Sequence, residues 1–229
     1  MQLPDSHLDL GCGDVPRNPY GRKNLCGVDV RGISPSAGFE FRPANLFLDP
    51  IPFADNSFGS VSAFDFIEHV PRVLTTSDGR DTCFPFIRLM NEVWRVLAPG
   101  GTLYALTPTY PSPDVFVDPT HVNVITDHTH EYFCGESPFG RMYGFKGRFS
   151  VKRTEWVRHS EALVALSPAA VAEAKASVRR KKRDPLRILA RTVRETSRLI
   201  RGKPFWRRPP ERLSHFLWEL EAIKDDLST

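Results

Sequence analysis

The chain has 229 residues, 41% of them hydrophobic and 25% charged, with a formal net charge of +4. That balance suits one soluble globular domain and excludes a wholly disordered protein. No run approaches the roughly 18 consecutive apolar residues that a membrane-spanning helix needs.

Charge is unevenly spread. Between Arg179 and Arg212 stand 14 basic residues against three acids, while the rest of the chain holds 17 basic and 24 acidic residues. An acidic body thus carries a basic segment. The four cysteines are too sparse for a disulfide framework and none forms a CxxC pair. Cys12 and Cys26 lie in apolar, strand-like surroundings, which predicts buried thiols and no zinc. The opening MQLPDSHLDL places acids where a secretory signal needs a basic start and an apolar run, so a cytoplasmic location is expected.

In chain order, His7 to Gly11 reads as a first strand, Leu25 to Val30 as a second, Phe39 to Asn45 as a third and Gly59 to Phe66 as a fourth. From Phe84 to Ala98 the apolar residues Ile87, Met90, Trp94 and Leu97 recur at helical spacing, and Pro99, Gly100 and Gly101 stop that helix. Thr102 to Thr107 is a fifth strand. Residues 108 to 146 are loop-rich. Phe149 to Val157 and His215 to Ile223 alternate as strands and read as an antiparallel pair, interrupted by the basic insertion at 160–212. Within that insertion Pro185 to Gly202 reads as a helix with Arg187, Arg191, Arg194, Arg198 and Arg201 on one face. The order predicts an α/β fold with a doubly wound parallel sheet in a single domain, 1–229.

The sharpest motif is LDLGCGD, Leu8 to Asp14, directly after the first strand. Gly11 and Gly13 let the backbone turn sharply and a ligand approach closely. Asp29 ends the second strand, where an acid accepts hydrogen bonds from both hydroxyls of a ribose. The competing reading is a tight turn followed by an exposed acid.

LDLGCGD, GVDV, IPFADNSFGSVSAFDFIEHV and NEVWRVLAPGGTLYALTP together resemble the successive motifs of class I S-adenosylmethionine-dependent methyltransferases. The resemblance implies a Rossmann-like seven-stranded sheet with an antiparallel last strand, and S-adenosyl-L-methionine as cofactor. It places Asp9, Gly11, Cys12 and Gly13 at the methionine part and Asp29 at the ribose. Asn45, with Leu46 beside it, takes the position of an acid that contacts the adenine amino group. The Ile51-Pro52-Phe53 turn resembles one that flanks adenine, and Phe66 a residue lining the pocket. Three departures stand out: Val15 replaces the third glycine of the loop, Gly59 replaces the aspartate that commonly follows NSF, and the motifs begin almost at the first residue, so that the insertion or a partner covers the cofactor or the pocket is open.

Methyl transfer from a sulfonium is an in-line displacement, and a hydroxyl acceptor benefits from a general base. The candidates follow the fifth strand in Asp118-Pro119-Thr120-His121-Val122-Asn123: His121 as base with Asp118 orienting its ring. The alternative for His121 is a loop-capping role. His69 is a second candidate, a structural role being the other reading. His128 and His130, near Asp127, read as solvent-exposed, so no metal site is expected. The DPTHVN and FIEHV segments resemble methyltransferases of glycan and surface-polysaccharide assembly, which implies O-methylation of a sugar. Tyr110, Tyr132, Phe133 and Trp156 are candidates to stack on sugar faces or to serve as core.

The basic residues 179–212 suit an anionic membrane surface or a glycosyltransferase partner, which would place the protein at the inner face of the membrane. The other reading packs the helix's apolar face on the domain, and nucleic acid ranks last. Rival functions are a methyltransferase-like binding subunit without catalysis, or a methyltransferase for a small metabolite or RNA.

Overall fold

A computed structural model describes residues 2–32, 38–76, 78–159 and 214–224. The basic insertion, with the helix expected at Pro185 to Gly202, lies outside the described residues.

The strands are β1 (Ser6–Leu10), β2 (Asn24–Asp29), β3 (Glu40–Pro43), β4 (Phe58–Phe64), β5 (Leu74–Thr75), β6 (Thr82–Cys83), β7 (Leu97–Pro108), β8 (Phe149–Val157) and β9 (His215–Ala222). Seven of them form one sheet in the order β3-β2-β1-β4-β7-β9-β8, and β5 and β6 form a small antiparallel pair. Neighbours from β3 to β7 run parallel, whereas β9 runs antiparallel to both β7 and β8. This is the expected seven-stranded sheet with one reversed strand, and the last two strands pair as their alternation predicted.

The expected double winding is not found among the described residues. Among the described residues there is one α-helix, α1 (Pro85–Val96), whose Pro85 fits the first turn because its missing N–H has no partner there anyway. Its buried face is Phe86, Leu89, Met90, Val93 and Val96, one residue out of phase with the expected stripe, and Ile87 and Trp94 are only partly buried. β7 begins at Leu97, well before the expected Thr102, and runs through the Pro-Gly-Gly segment.

Period-two alternation in the strands separates two faces. Leu8, Leu10, Val28, Val61, Ala63, Leu103, Ala105, Trp218 and Leu220 share one core with α1. On the opposite face lie Phe64, Tyr104, Leu106, Val157 and Leu217. That face also carries His7, Asp9, Ser60 and Ser62, all buried. The segment between β1 and β2 covers it in place of a helix. Tyr20 meets Tyr104 edge-on at 6.2 Å and donates to Glu219 Oε1 at 2.7 Å, and Arg17 lies 4.7 Å over the Phe64 ring. Pro16 and Pro19 in this segment explain the missing helix, since each removes a backbone donor.

Cys12 and Cys26 are buried free thiols, as expected. Phe133 and Trp156 are core residues packed against Phe86, Phe145 and Phe216, which removes them as sugar-stacking candidates. Tyr110 and Tyr132 stay exposed.

Candidate active site

Parallel α/β sheets bind ligands at the carboxyl ends of their strands, where the strand order reverses. Here that point lies between β1 and β4, because the chain winds outward from β1 to β3 and then returns. The loop after β1 and the segment after β4 face each other across it.

The loop turns as its glycines allow. Gly11 and Gly13 have φ of +66° and +59°, and the amides of Gly11 and Cys12 both donate to the Val28 carbonyl at 2.8 and 3.1 Å. A Cβ on Gly11 would lie 2.6 Å from Phe66 Cδ2, so Phe66 rests directly on the loop. The Gly13 amide donates to Asp29 Oδ2 at 3.0 Å. The loop and the acid singled out in the sequence therefore meet.

Asp29 is already well occupied. The backbone and Nε of Arg31 each donate to Oδ1 at 3.0 Å, and Nη2 donates to Oδ2 at 3.2 Å. Burial alone would raise this carboxyl, but the bonds from Arg31 and Gly13 hold it below the usual carboxylate range. An adenosyl sulfonium fits the corner. The acid is ionised, two of the loop's peptide groups are glycines, and among the described residues the one side chain across the carboxylate is the exposed Arg31, whose surface ion pair holds it only weakly.

Asp9 takes a different place from the one expected. Its Oδ2 accepts from the Arg17 amide at 2.8 Å and its Oδ1 from Ser62 Oγ at 2.6 Å, so it braces the loop's exit from beneath. A buried chain continues from it: His7 Nε2 lies 2.8 Å from Ser62 Oγ, His7 Nδ1 lies 2.7 Å from Ser60 Oγ, and Arg22 Nε donates to Ser60 Oγ at 2.8 Å. Because Arg22 can only donate and an ionised Asp9 only accept, the protons run one way, with the His7 proton on Nε2. Burial lowers His7 to about 4 and raises Asp9 to about 6.

The adenine candidates each have a partner within the fold. Asn45 Oδ1 accepts from the Phe47 amide at 3.1 Å and so holds its own turn. Leu46 is core. Phe53 packs edge-on against Phe58 at 5.0 Å, at the start of β4 and thus the far end of that strand from Gly11, with Arg42 4.2 Å over its ring. The Ile51 to Phe53 turn is gripped by Arg95, which donates to the carbonyls of Ile51 and Phe53, each at 2.8 Å.

Across the crevice, the short 3₁₀ turn Ile67–His69 brings Glu68, His69 and His121 together. Glu68 is fully buried; its Oε2 accepts from Thr107 Oγ1 at 2.9 Å, and burial pushes its carboxyl up to about 8. The His69 and His121 rings meet edge to face at 4.8 Å. His121 Nδ1 faces the Val115 carbonyl at 3.1 Å, which puts its proton there and leaves Nε2 as a lone pair 4.0 Å from Glu68 Oε1. Asp118 does not orient His121 as expected. It accepts from Thr120 Oγ1 at 2.6 Å, and that hydroxyl, having given its proton, must accept from His69 Nδ1 at 2.9 Å. Asp118 therefore orients His69, again leaving Nε2 bare. Burial, then His121, keep His69 below the ordinary imidazole range.

Of two further histidines expected to be exposed, one differs. His128 is exposed and lies 2.8 Å from Glu131, but His130 is buried against Phe216 and Trp218. Glu68, Thr107, Ser62 and Arg31 were not singled out in the sequence. A glutamate beside histidine in FIEHV was visible, but its burial was not.

Residues 8–105 match the family model described as a methyltransferase domain. Over those residues, somewhat less than half of the chain, the protein is similar to that family. Among curated proteins, none matches the sequence significantly. Among solved structures, the chain is similar to one in the complex between the Haloferax volcanii Trm112 methyltransferase activator and a methyltransferase. That match has 14% identity over 97% of this chain and 84% of the other, with a TM-score of 0.53. It is also similar to the cyclase SpnF, at 16% identity over 98% and 77%, with a TM-score of 0.50. A S-adenosylmethionine-dependent methyltransferase of Methanosarcina mazei matches at 14% identity over 98% and 95%, with a TM-score of 0.49. The first two likenesses show the fold, and the cyclase illustrates that the fold alone does not decide the reaction. No helix among the described residues is long and apolar enough to cross a membrane.

Proposed function

We propose that the protein is an S-adenosylmethionine-dependent methyltransferase that methylates a sugar hydroxyl in a cell-surface glycan or its precursor. The observation that carries the reading is the closeness of two half-sites in the fold: the Gly11 to Gly13 loop locked to Asp29 and touched by the Phe66 ring, and the Glu68, His69 and His121 cluster that begins two residues after Phe66. The cofactor supplies an activated methyl group; Asp29 would hold its ribose and the loop its methionine end. The cluster meets the acceptor hydroxyl, where a bare imidazole nitrogen is suited to draw off its proton. Exposed Tyr110 and Tyr132 are suited to stack on a sugar ring.

The basic residues 179–212 would hold such an enzyme to the anionic inner face of the membrane, where lipid-linked glycans are assembled. The experiment is a cell-envelope extract incubated with protein and labelled cofactor. A mass gain of one methyl on a glycan supports the proposal, and label on RNA or on small metabolites alone overturns the choice of acceptor. Calorimetry with millimolar cofactor tests the first half, and absence of heat would leave only the architecture.

A further inference from the structure

We infer that Glu68, His69 and His121 form a binding site for a divalent transition-metal ion on the acceptor side of the crevice. The inference rests on the function proposed above and deepens it: an ion there would meet the acceptor oxygen and make its proton more acidic, in place of proton removal by a free imidazole nitrogen. Each residue offers one ligand atom, and the three atoms lie within 4.8 Å of one another. Metal–ligand bonds of about 2.0 to 2.2 Å require these atoms to close by roughly 1 Å, within reach of side-chain rotation.

An independent observation points to a ligand. Among the described residues Glu68 Oε1 has no hydrogen-bond partner although its side chain is fully buried, and it faces His121 Nε2 at 4.0 Å. A buried carboxylate oxygen normally finds a donor. The surrounding bonds have the pattern of a metal site, in which each ligand's second polar atom is held by a neighbour. His121 Nδ1 is held by the Val115 carbonyl, His69 Nδ1 by Thr120 and through it Asp118, and Glu68 Oε2 by Thr107. Each ring thereby presents Nε2.

Two imidazoles and one carboxylate favour zinc, iron, manganese or cobalt over magnesium or calcium, which prefer all-oxygen shells. Three protein ligands leave positions open for an acceptor hydroxyl, whose proton becomes more acidic on an ion. The other such grouping among the described residues is Asp65 with His159 and His215: Asp65 Oδ2 is bonded to His159 Nε2 at 2.8 Å, while Oδ1 lies 3.0 Å from His215 Nε2 without a hydrogen bond of good geometry, so the His159 variant is the control that separates the two groupings.

The test uses the full chain stripped with chelator, titrated with zinc chloride in a calorimeter and with cobalt(II) by visible absorption. One zinc per chain is expected, with affinity lowered about tenfold or more in Glu68→Gln, His69→Gln and His121→Gln and unchanged in His159→Gln. Thermal unfolding checks that each variant folds; if Glu68→Gln does not, the two histidine variants carry the test. No binding, undiminished binding in both, or loss confined to His159→Gln overturns the inference. Cofactor binding measured without zinc keeps the two proposals apart. Cofactor heat without zinc heat removes only the metal site, and zinc heat without cofactor heat removes only the methyltransferase.

Discussion

Arg31 lies across the carboxylate of Asp29, with Nε 3.0 Å from Oδ1 and Nη2 3.2 Å from Oδ2. The group expected to receive a ribose is thus engaged by its own neighbour two residues on, and a ribose must displace that guanidinium. Arg31→Ala should therefore raise cofactor affinity, by less than about tenfold because an exposed ion pair is weak. Asp29→Ala should lower it by about 1 to 3 kcal/mol, the cost of lost ribose hydrogen bonds. Calorimetry on both variants decides: weaker binding in Arg31→Ala would show that the arginine contacts the cofactor.

His7 and Asp9 exchange a proton's location on folding. With His7 lowered to about 4 and Asp9 raised to about 6, both by burial, the folded pair keeps its one proton on Asp9 between those values; the unfolded chain, at 6.5 and 3.8, keeps it on His7. Their contributions to pH dependence cancel there. In His7→Asn only Asp9 remains, and its folded state binds the proton more tightly. Stability should then be full below about pH 4 and decline as pH rises through about 6, by at most about 1.4 kcal/mol per unit. Asp9→Asn should do the reverse: the His7 contribution is present above about pH 6.5 and lost as pH falls through about 4. Urea unfolding across this range checks both slopes, and parallel slopes in the two variants would break the account.

Gly11 carries two constraints at once, a φ of +66° and the Phe66 ring 2.6 Å from where a Cβ would stand. Gly11→Ala should cost about 1 to 3 kcal/mol, part from the left-handed backbone and part from crowding. Adding Phe66→Ala should recover the crowding share only. A double-mutant cycle in urea that shows no coupling would mean that the ring moves aside freely.

Thr120 is the link between Asp118 and His69. Thr120→Val removes it and should slow methyl transfer about tenfold while leaving cofactor affinity unchanged, with Thr120→Ser restoring the rate. Were Asp118 acting on His121, as the sequence suggested, Thr120→Val would be silent and Asp118→Asn would not. Single-turnover rates for the three variants separate these outcomes.

Strand positions were legible because each apolar run is bounded by glycine, proline or acid, and the loop and Asp29 because their spacing is set by one strand-to-strand passage. The covering of the second face was not. The expected double winding called for helices on both faces, although Pro16, Pro19 and Gly21 stand in the short passage between β1 and β2 and argue against one there. The cluster was half legible. His69 and His121 carried recognisable chemistry, but their companion Glu68 gains its significance from burial under Thr107, which arises when β4 and β7 are paired. Asp118 was assigned to the nearer histidine in sequence, whereas the turn at Thr120 hands it to the farther one.

Gly59 stands where the family commonly has an aspartate, and the structure gives the reason. It lies at the irregularity in the β4 register, and a Cβ there would meet the Pro4 carbonyl and come within 2.6 Å of Arg22 Cζ. Arg22 uses that space to donate to the Pro4 carbonyl at 2.9 Å, the Gly59 carbonyl at 3.0 Å and Ser60 Oγ at 2.8 Å, which begins the chain to His7 and Asp9. Restoring the common residue, Gly59→Asp, should displace Arg22 and destabilise by about 2 kcal/mol or more, as overpacking at backbone does. Arg22→Ala should lose less on its own and make Gly59→Asp better tolerated, since the Arg22 side chain is then gone and only the Pro4 segment must yield. Thermal unfolding of the two singles and the double measures this. If Gly59→Asp is as stable as the wild type, the segment before β1 moves freely and Arg22 does not anchor the hydrogen-bonded chain beneath the loop.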